Sequence, residues 1–369
     1  MTTQLNYVQT FLALLACARA KVAGVLVGSP GVGKTSLARH LARALNVPLP
    51  GGGLVGSNLA PTDIAGFPWA KPGEGLLFEL IPEIKAAVTD GVLLFFDELT
   101  AVPLSVQAPL MRVFLDRQAG GTVLNADTAV IGAMNPPEQA PNGVQLSAMA
   151  TNRIIVLPYA PTHDEIRAYF RGEAVDPLPL APKALSPEAY QTALDAEKRD
   201  FAITMDVEPG LIVLDPPRAA IDAGASFGSP RAWDLACRAY AAHGRDDAVG
   251  RALYAGAVGE DSATALWGIR KLRKDLPSVA EIERNPGAAL VPQEKERQIA
   301  ALGLIAKVAE RDIWAAWIYA ERLTLGDLRA ACARVLLPLS TRLGRTVTPN
   351  TPEGKKAQIR LQAQIQRQL

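Results

Sequence analysis

Apolar positions along the first 160 residues follow two periods in turn. Val8, Phe11, Leu12 and Leu15 share one face of a helical stretch over Tyr7 to Ala20. Leu37, Leu41, Ala44 and Leu45 recur at the same spacing with Arg39, His40 and Arg43 on the other side. Between these stretches stand short continuous apolar runs, Ala23 to Val27, Gly91 to Phe96, Ala129 to Met134 and Arg153 to Leu157. Runs of this kind suit strands buried on both faces, so the alternation predicts an α/β core over residues 1–160, a parallel sheet flanked by helices. The pattern weakens over 161–228, where Pro177, Pro179, Pro182 and Pro187 crowd together and a Pro209-Gly210 turn precedes Leu211 to Leu214; it reads as a connecting or inserted segment. From Ser229 the chain reads as almost wholly helical, opening on Ser229-Pro230, an N-cap followed by proline at the first helical position. Trp233, Trp267, Trp314 and Trp317 sit in alanine- and leucine-rich surroundings and are expected in helix contacts. Pro109 falls inside the helical pattern Leu104 to Arg117, which it is expected to kink or divide.

The run Ala23 to Val27 leads into Gly28-Ser29-Pro30-Gly31-Val32-Gly33-Lys34-Thr35, followed by Ser36 and the amphipathic stretch. Strand, glycine-rich loop and helix in this order make a phosphate-binding loop. Its N–H groups and the positive end of the helix face a phosphate, Lys34 reaches the β- and γ-phosphates of ATP, and Thr35 ligates Mg²⁺. A second apolar run, Gly91 to Phe96, ends in Asp97-Glu98. Asp97 is placed to hold Mg²⁺, and Glu98 to polarise a water that attacks the γ-phosphate. The run Val130 to Met134 ends in Asn135-Pro136, where an amide at a strand's carboxyl end either fixes that water or simply opens a turn.

These elements, in this order and across about two-thirds of the chain, resemble the AAA+ ATPases, and within them the MoxR-like group of the helix-2-insert clade. The resemblance makes Asn135 the sensor-1 residue and places the arginine finger, which reaches a neighbouring subunit's nucleotide, at Asn152-Arg153. It makes Arg231, in Ser229-Pro230-Arg231, the sensor-2 residue of a helical lid over 229–290, followed by a helical C-terminal extension over 291–369. Segments 57–66 and 76–82 also look like MoxR-group sequence, and stretches 66–80 and 119–130 match the group's helix-2 insertion and its hairpin before sensor 1, which would line the pore of a ring. Taken bare, Arg153 is a charged residue ahead of a buried strand. Arg231 sits in the first turn of a helix, where a cation opposes the dipole, so an anion must hold it. A γ-phosphate and the carboxylate of Asp234 are the two candidates.

Composition narrows the setting. A net charge of +1 over 369 residues offers no global field for nucleic acid or membrane. Cys17, Cys237 and Cys332 share no metal-ligand spacing with the three histidines, and a reducing cytoplasm is expected. Met1 to Asn6 lacks the basic region of a signal peptide, and no apolar run approaches a membrane span. Near the C-terminus Arg342, Arg345, Lys355, Lys356, Arg360 and Arg367 face one acid, Glu353, while Leu361, Ile365 and Leu369 form a narrow apolar stripe. Docking on another subunit or partner is the expected use of that tail. The resemblance implies a ring of six, a partner bearing a von Willebrand factor A domain, and ATP-driven remodelling of a client protein. A nucleic-acid motor or loader that uses the basic tail is the alternative, and a scaffold that holds ATP without hydrolysis is a third class, disfavoured by Asp97-Glu98.

Overall fold

The computed structural model describes residues 4–71, 73, 75–139, 146–273, 276–329, 331–332, 336, 355–356 and 359–360. Of the basic tail, Arg342, Arg345, Glu353, Leu361, Ile365, Arg367 and Leu369 lie outside the described residues. The chain divides into two compact units, Met1–Lys198 with Ile212–Thr264, and Arg199–Leu211 with Ala265–Leu369.

The first unit begins with α1 (Tyr7–Arg19), capped reciprocally by Asn6 and Gln9, then β1 (Gly24–Val27) and α2 (Lys34–Leu45). Next come β2 (Leu54–Val55), α3 (Pro61–Ala65), a hairpin of β3 (Phe67–Lys71) and β4 (Gly75–Glu79), α4 (Pro82–Thr89) and β5 (Leu93–Asp97). Helix α5 (Leu104–Asp116) runs through Pro109 undivided, with Val106, Leu110, Val113 and Phe114 buried in the core. A small antiparallel pair, β6 (Gln118–Ala119) and β7 (Thr122–Val123), precedes β8 (Ala129–Met134), α6 (Ala148–Thr151) and β9 (Ile155–Pro158). The five-stranded sheet runs in the order β2-β5-β8-β1-β9, all parallel, so β1 lies between β8 and β9. Every residue of β8 is buried, as are Leu93 to Phe96 of β5, which is why both read as continuous apolar runs.

The segment 161–228 is more helical than its sequence suggests, holding α7 (His163–Phe170), α8 (Pro187–Val207) and α9 (Arg218–Ala223). No residue of α7 or α9 is buried, and most of α8 is exposed, so no strong apolar stripe marks them. The Pro209-Gly210 turn is a single 3-10 turn over Pro209–Leu211. Ser229 caps α10 (Pro230–His243), its Oγ accepting from the N–H of Ala232. Helix α10 packs on α1 and on α11 (Ala248–Val258), and α11 packs on β9. That last approach is close: a Cβ on Gly256 would lie 2.2 Å from the Val156 carbonyl oxygen. Trp233 is buried among these helices against Tyr254.

Helix α12 (Glu260–Arg273) leads to α13 (Val279–Arg284), α14 (Lys295–Arg311) and α15 (Ile313–Ala320). The second unit closes around Ile282, Leu304, Ile305, Val308, Trp317 and Tyr319. Its buried amide, Gln298, is satisfied at both ends: Nε2 donates to Thr324 Oγ1, and Oε1 accepts from the N–H groups of Thr324 and Leu325. Within this unit Arg360 of the basic tail grips Glu321 with two nitrogens. Trp267 carries the Arg270 guanidinium over its ring at 4.9 Å. Among the described residues no helix is long and apolar enough to cross a membrane.

Candidate functional site

Strand order brings three predicted elements together. Because β5, β8 and β1 are consecutive neighbours and parallel, their carboxyl ends present Asp97-Glu98, Asn135 and the loop Gly28 to Thr35 side by side. This is where ligands bind in open α/β sheets. Gly33 stands at φ 94°, a conformation that favours glycine, and gives the N-cap of α2. Gly28 is needed for space, since a Cβ there would lie 2.8 Å from the carbonyl oxygen of Tyr159.

Lys34 is buried, and its ammonium makes three hydrogen bonds: to the Gly28 carbonyl at 2.6 Å, the Ser29 carbonyl at 3.0 Å and Asn135 Oδ1 at 2.8 Å. All three of its donors are engaged. Burial pushes this amine below its ordinary value, while the Asp97 and Glu98 carboxylates hold it up. Asn135 turns its amide oxygen to the ammonium, which leaves its Nδ2 to donate toward a phosphate oxygen or a water. Thr35 Oγ1 donates to Asp97 Oδ2 at 3.1 Å, and Asp97 Oδ1 accepts from the Glu98 N–H at 2.9 Å. A hydroxyl and a carboxylate at this separation form a hard-oxygen pair of the kind Mg²⁺ takes, with phosphate and water completing its shell.

Glu98 is exposed and its backbone is left-handed, φ 54° and ψ 44°. A non-glycine residue there costs roughly 1–2 kcal/mol, and strain of this kind collects at functional sites. The turn throws the carboxylate away from the strand, where Oε2 accepts from Ser57 Oγ at 3.3 Å. Ser57, in the turn after β2, is therefore a site residue that the sequence reading of catalysis omitted. Tyr159 is another. Its hydroxyl donates to the Val32 carbonyl at 2.8 Å and so pins the loop from the β9 side. Burial raises its phenol above the ordinary value, with Tyr7 and Glu165 adding to the effect, which keeps it a donor. The register Val27↔Pro158 sets Tyr159 beside Gly28, and only knowledge that β9 flanks β1 would have singled it out.

The two arginines lie elsewhere. Arg153 precedes β9, and Gly24↔Ile155 and Val27↔Pro158 pair in parallel, so Arg153 stands at the amino edge of the sheet. Three residue steps of strand, about 10 Å, separate that edge from the loop. Arg231 is at the same edge. The Asn152 amide donates to Ser229 Oγ at 2.7 Å, tying the turn that holds Arg153 to the start of α10. Arg153 is half-buried and Arg231 exposed, and neither guanidinium has a partner among the described residues. Asp234 instead pairs with Lys198 at 2.6 Å, which removes it as the local anion for Arg231. The structure thus joins Lys34, Thr35, Asp97, Glu98 and Asn135 in one place, and Arg153 and Arg231 in another.

A loop, a carboxylate pair and an amide on adjacent parallel strands form the constellation for nucleotide hydrolysis, and residues 25–159, which contain all three, match the model of the ATPase family associated with various cellular activities (AAA). Residues 25–159 form an AAA ATPase domain. No curated protein matches the chain. Among solved structures it is similar to a candidate ATPase from Cytophaga hutchinsonii, at 19% identity and TM-score 0.39, covering 63% of this chain and 73% of that one. It is also similar to a full-length MCM homologue from Methanopyrus kandleri, at 17% identity and TM-score 0.36, covering 71% of this chain and about half, 53%, of that one. The AAA domain binds nucleotide and hydrolyses ATP.

Proposed function

We propose that this ATPase works as a ring, most simply of six copies, in which each nucleotide is hydrolysed between two subunits and the motion remodels a partner protein. The observation that carries the reading is the separation of the site into two halves on opposite edges of one sheet. One subunit supplies Gly28 to Ser36 for the phosphates, Lys34 for their β/γ charge, Thr35 and Asp97 for Mg²⁺, Glu98 to activate the water and Asn135 to orient it. Bound Mg²⁺ would neutralise charge on the phosphate oxygens. Arg153 is the finger offered to the neighbour's nucleotide, and Arg231, tied to it through Asn152 and Ser229, is offered with it. Neither arginine is bonded to its own loop, and on this reading both act in trans.

The wider assignment to MoxR-like chaperones, acting in the cytoplasm with a von Willebrand factor A partner, rests on sequence resemblance. Its functional parts are the core 1–160, the connecting segment 161–228, the lid 229–290 and the extension 291–369, a division that crosses the two compact units. Hairpin β3–β4 occupies the stretch matching the helix-2 insertion and exposes Phe67, Trp69 and Phe78. Such an apolar projection suits a surface that grips protein. Arg360, engaged by Glu321, is one cation fewer in the tail for nucleic acid. The decisive experiment mixes two inactive variants, Glu98→Gln and Arg153→Ala. Assembly of the intact finger of one against the intact glutamate of the other restores part of the turnover; no restoration, in a mixture shown to co-assemble, would refute sites shared between subunits.

A further inference from the structure

A cleft of ≈ 620 Å³ opens at the amino edge of the sheet, on the side away from the phosphate loop. Its wall includes Arg19 from the end of α1, Lys21 from the turn into β1, Asp127 before β8, and the apolar faces of Leu45, Leu185 and Tyr190. The volume falls in the range of small-molecule sites.

Cations converge on it. Neither Arg19 nor Lys21 has a side-chain partner among the described residues, and both are half-buried. Arg117 and Arg238 stand behind them, but those guanidiniums are engaged: Arg117 donates to the carbonyls of Asn125 and Thr128, and Arg238 to that of Ala20 at 2.7 Å. Asp127 is the lone acid of the lining. Lys21 is also strained, a non-glycine residue at φ 54°. Its turn is fixed by the N–H groups of Lys21 and Val22, which donate to Ala18 and Cys17, and by Arg238 on Ala20. A left-handed lysine held in place by the half-buried Arg238 delivers its ammonium to a cleft that already holds positive charge. Burial and the charge of Arg117 push that ammonium below its ordinary value, with Asp127 opposing; burial does the same to Arg19. An anion between the two would relieve both effects.

We propose that this cleft binds a small organic dianion, a phosphate monoester or a dicarboxylate, with Arg19 and Lys21 on the charged end and Leu45, Leu185 and Tyr190 against the apolar body. The site is independent of the nucleotide reading, because it lies at the other end of β1, β5 and β8. It is tested on the full chain carrying Lys34→Ala, which disables the phosphate loop as a competing anion site. Phenyl phosphate and succinate are titrated calorimetrically, the first reporting phosphate recognition and the second carboxylate recognition. Saturable one-to-one binding of at least one probe is expected, weakened about tenfold or more by Arg19→Gln with Lys21→Asn, a pair that removes the charges while asparagine tolerates the left-handed turn. Circular dichroism of the pair variant checks that it is folded, and should it not be, Arg19→Gln alone is expected to weaken the same probe severalfold. Absence of saturable binding by both probes, unchanged affinity in the folded variant, or binding only of an acidic peptide would overturn the assignment.

Discussion

The two edges of the central sheet treat charge in opposite ways. At the carboxyl edge Lys34 bonds Asn135 at 2.8 Å and Thr35 bonds Asp97 at 3.1 Å. At the amino edge Arg153 and Arg231 stand a few residues from a shared hydrogen bond and meet no carboxylate among the described residues, the nearest in sequence being taken by Lys198. The half-buried Arg153 and the exposed Arg231 gain no Coulombic return from a carboxylate among the described residues. Their presence makes sense when the anion belongs to another molecule, and the carboxyl edge of a second copy holds such an anion whenever ATP is bound. On the proposed reading, the satisfied edge binds and the unsatisfied edge completes a neighbour's site.

The comparison breaks most sharply at Arg153. If it is a finger, Arg153→Ala lowers ATP turnover by about a thousandfold, the lower range for an arginine that stabilises phosphoryl-transfer charge. Binding of a fluorescent ATP analogue should stay within about twofold, because the residue is absent from its own subunit's loop. Steady-state hydrolysis beside a binding titration separates the two. An equal loss in both would place Arg153 in folding or in nucleotide binding, and a wild-type rate would return it to being the polar start of β9.

Arg231 tests whether the amino edge acts as one unit. Arg231→Ala is expected to reduce turnover by about a hundredfold, as for loss of one preorganised charge donor at a transition state. Mixed with Glu98→Gln it should be complemented in trans, as Arg153→Ala is; mixed with Arg153→Ala it should not, since both lesions then fall on the same edge. Complementation between the two arginine variants would show that they serve different subunits' sites, and Arg231 would then close over its own nucleotide.

Much of the carboxyl edge was readable because its chemistry is local. The loop spans eight consecutive residues, Gly28 to Thr35, and β5 and β8 announce themselves as unbroken apolar runs that stop at Asp97 and Asn135. Ser229-Pro230 gave the start of α10 for the same reason, since a cap is written within three residues. What sequence withholds is adjacency. That β9 flanks β1 decides both the clamp of Tyr159 on Val32 and the placement of Arg153 away from the loop, and no local pattern encodes strand order. The left-handed backbone of Glu98 was equally hidden, because glutamate carries no signal for it. Strands β2, β6 and β7 are two residues long and too short for any period to register, and α8 escaped because its exposed surface offers so few buried positions, among them Leu194, Phe201 and Thr204.

The smallest effect on rate, and the finest test of the link between the arginines, lies at Ser229. Its hydroxyl oxygen accepts from the Ala232 N–H as the cap of α10 and from the Asn152 amide at 2.7 Å. Ser229→Ala removes both at once. The lost cap costs about 1 kcal/mol, and a buried amide left without an acceptor costs about as much again or more. Asn152 Oδ1 is already buried without a partner, so the turn has no second bond to fall back on. We expect about 2 kcal/mol of lost stability, read as a lower midpoint in urea. Turnover should fall by less than about tenfold, because both arginines remain present and only their shared anchor is loosened. Ser229→Asn, which restores a capping oxygen of similar strength, should recover the stability. If it recovers the stability but not the rate, the Asn152 bond itself positions the arginines; if it recovers both together, the cap of α10 is the whole of the effect, and Arg153 and Arg231 are neighbours without being coupled.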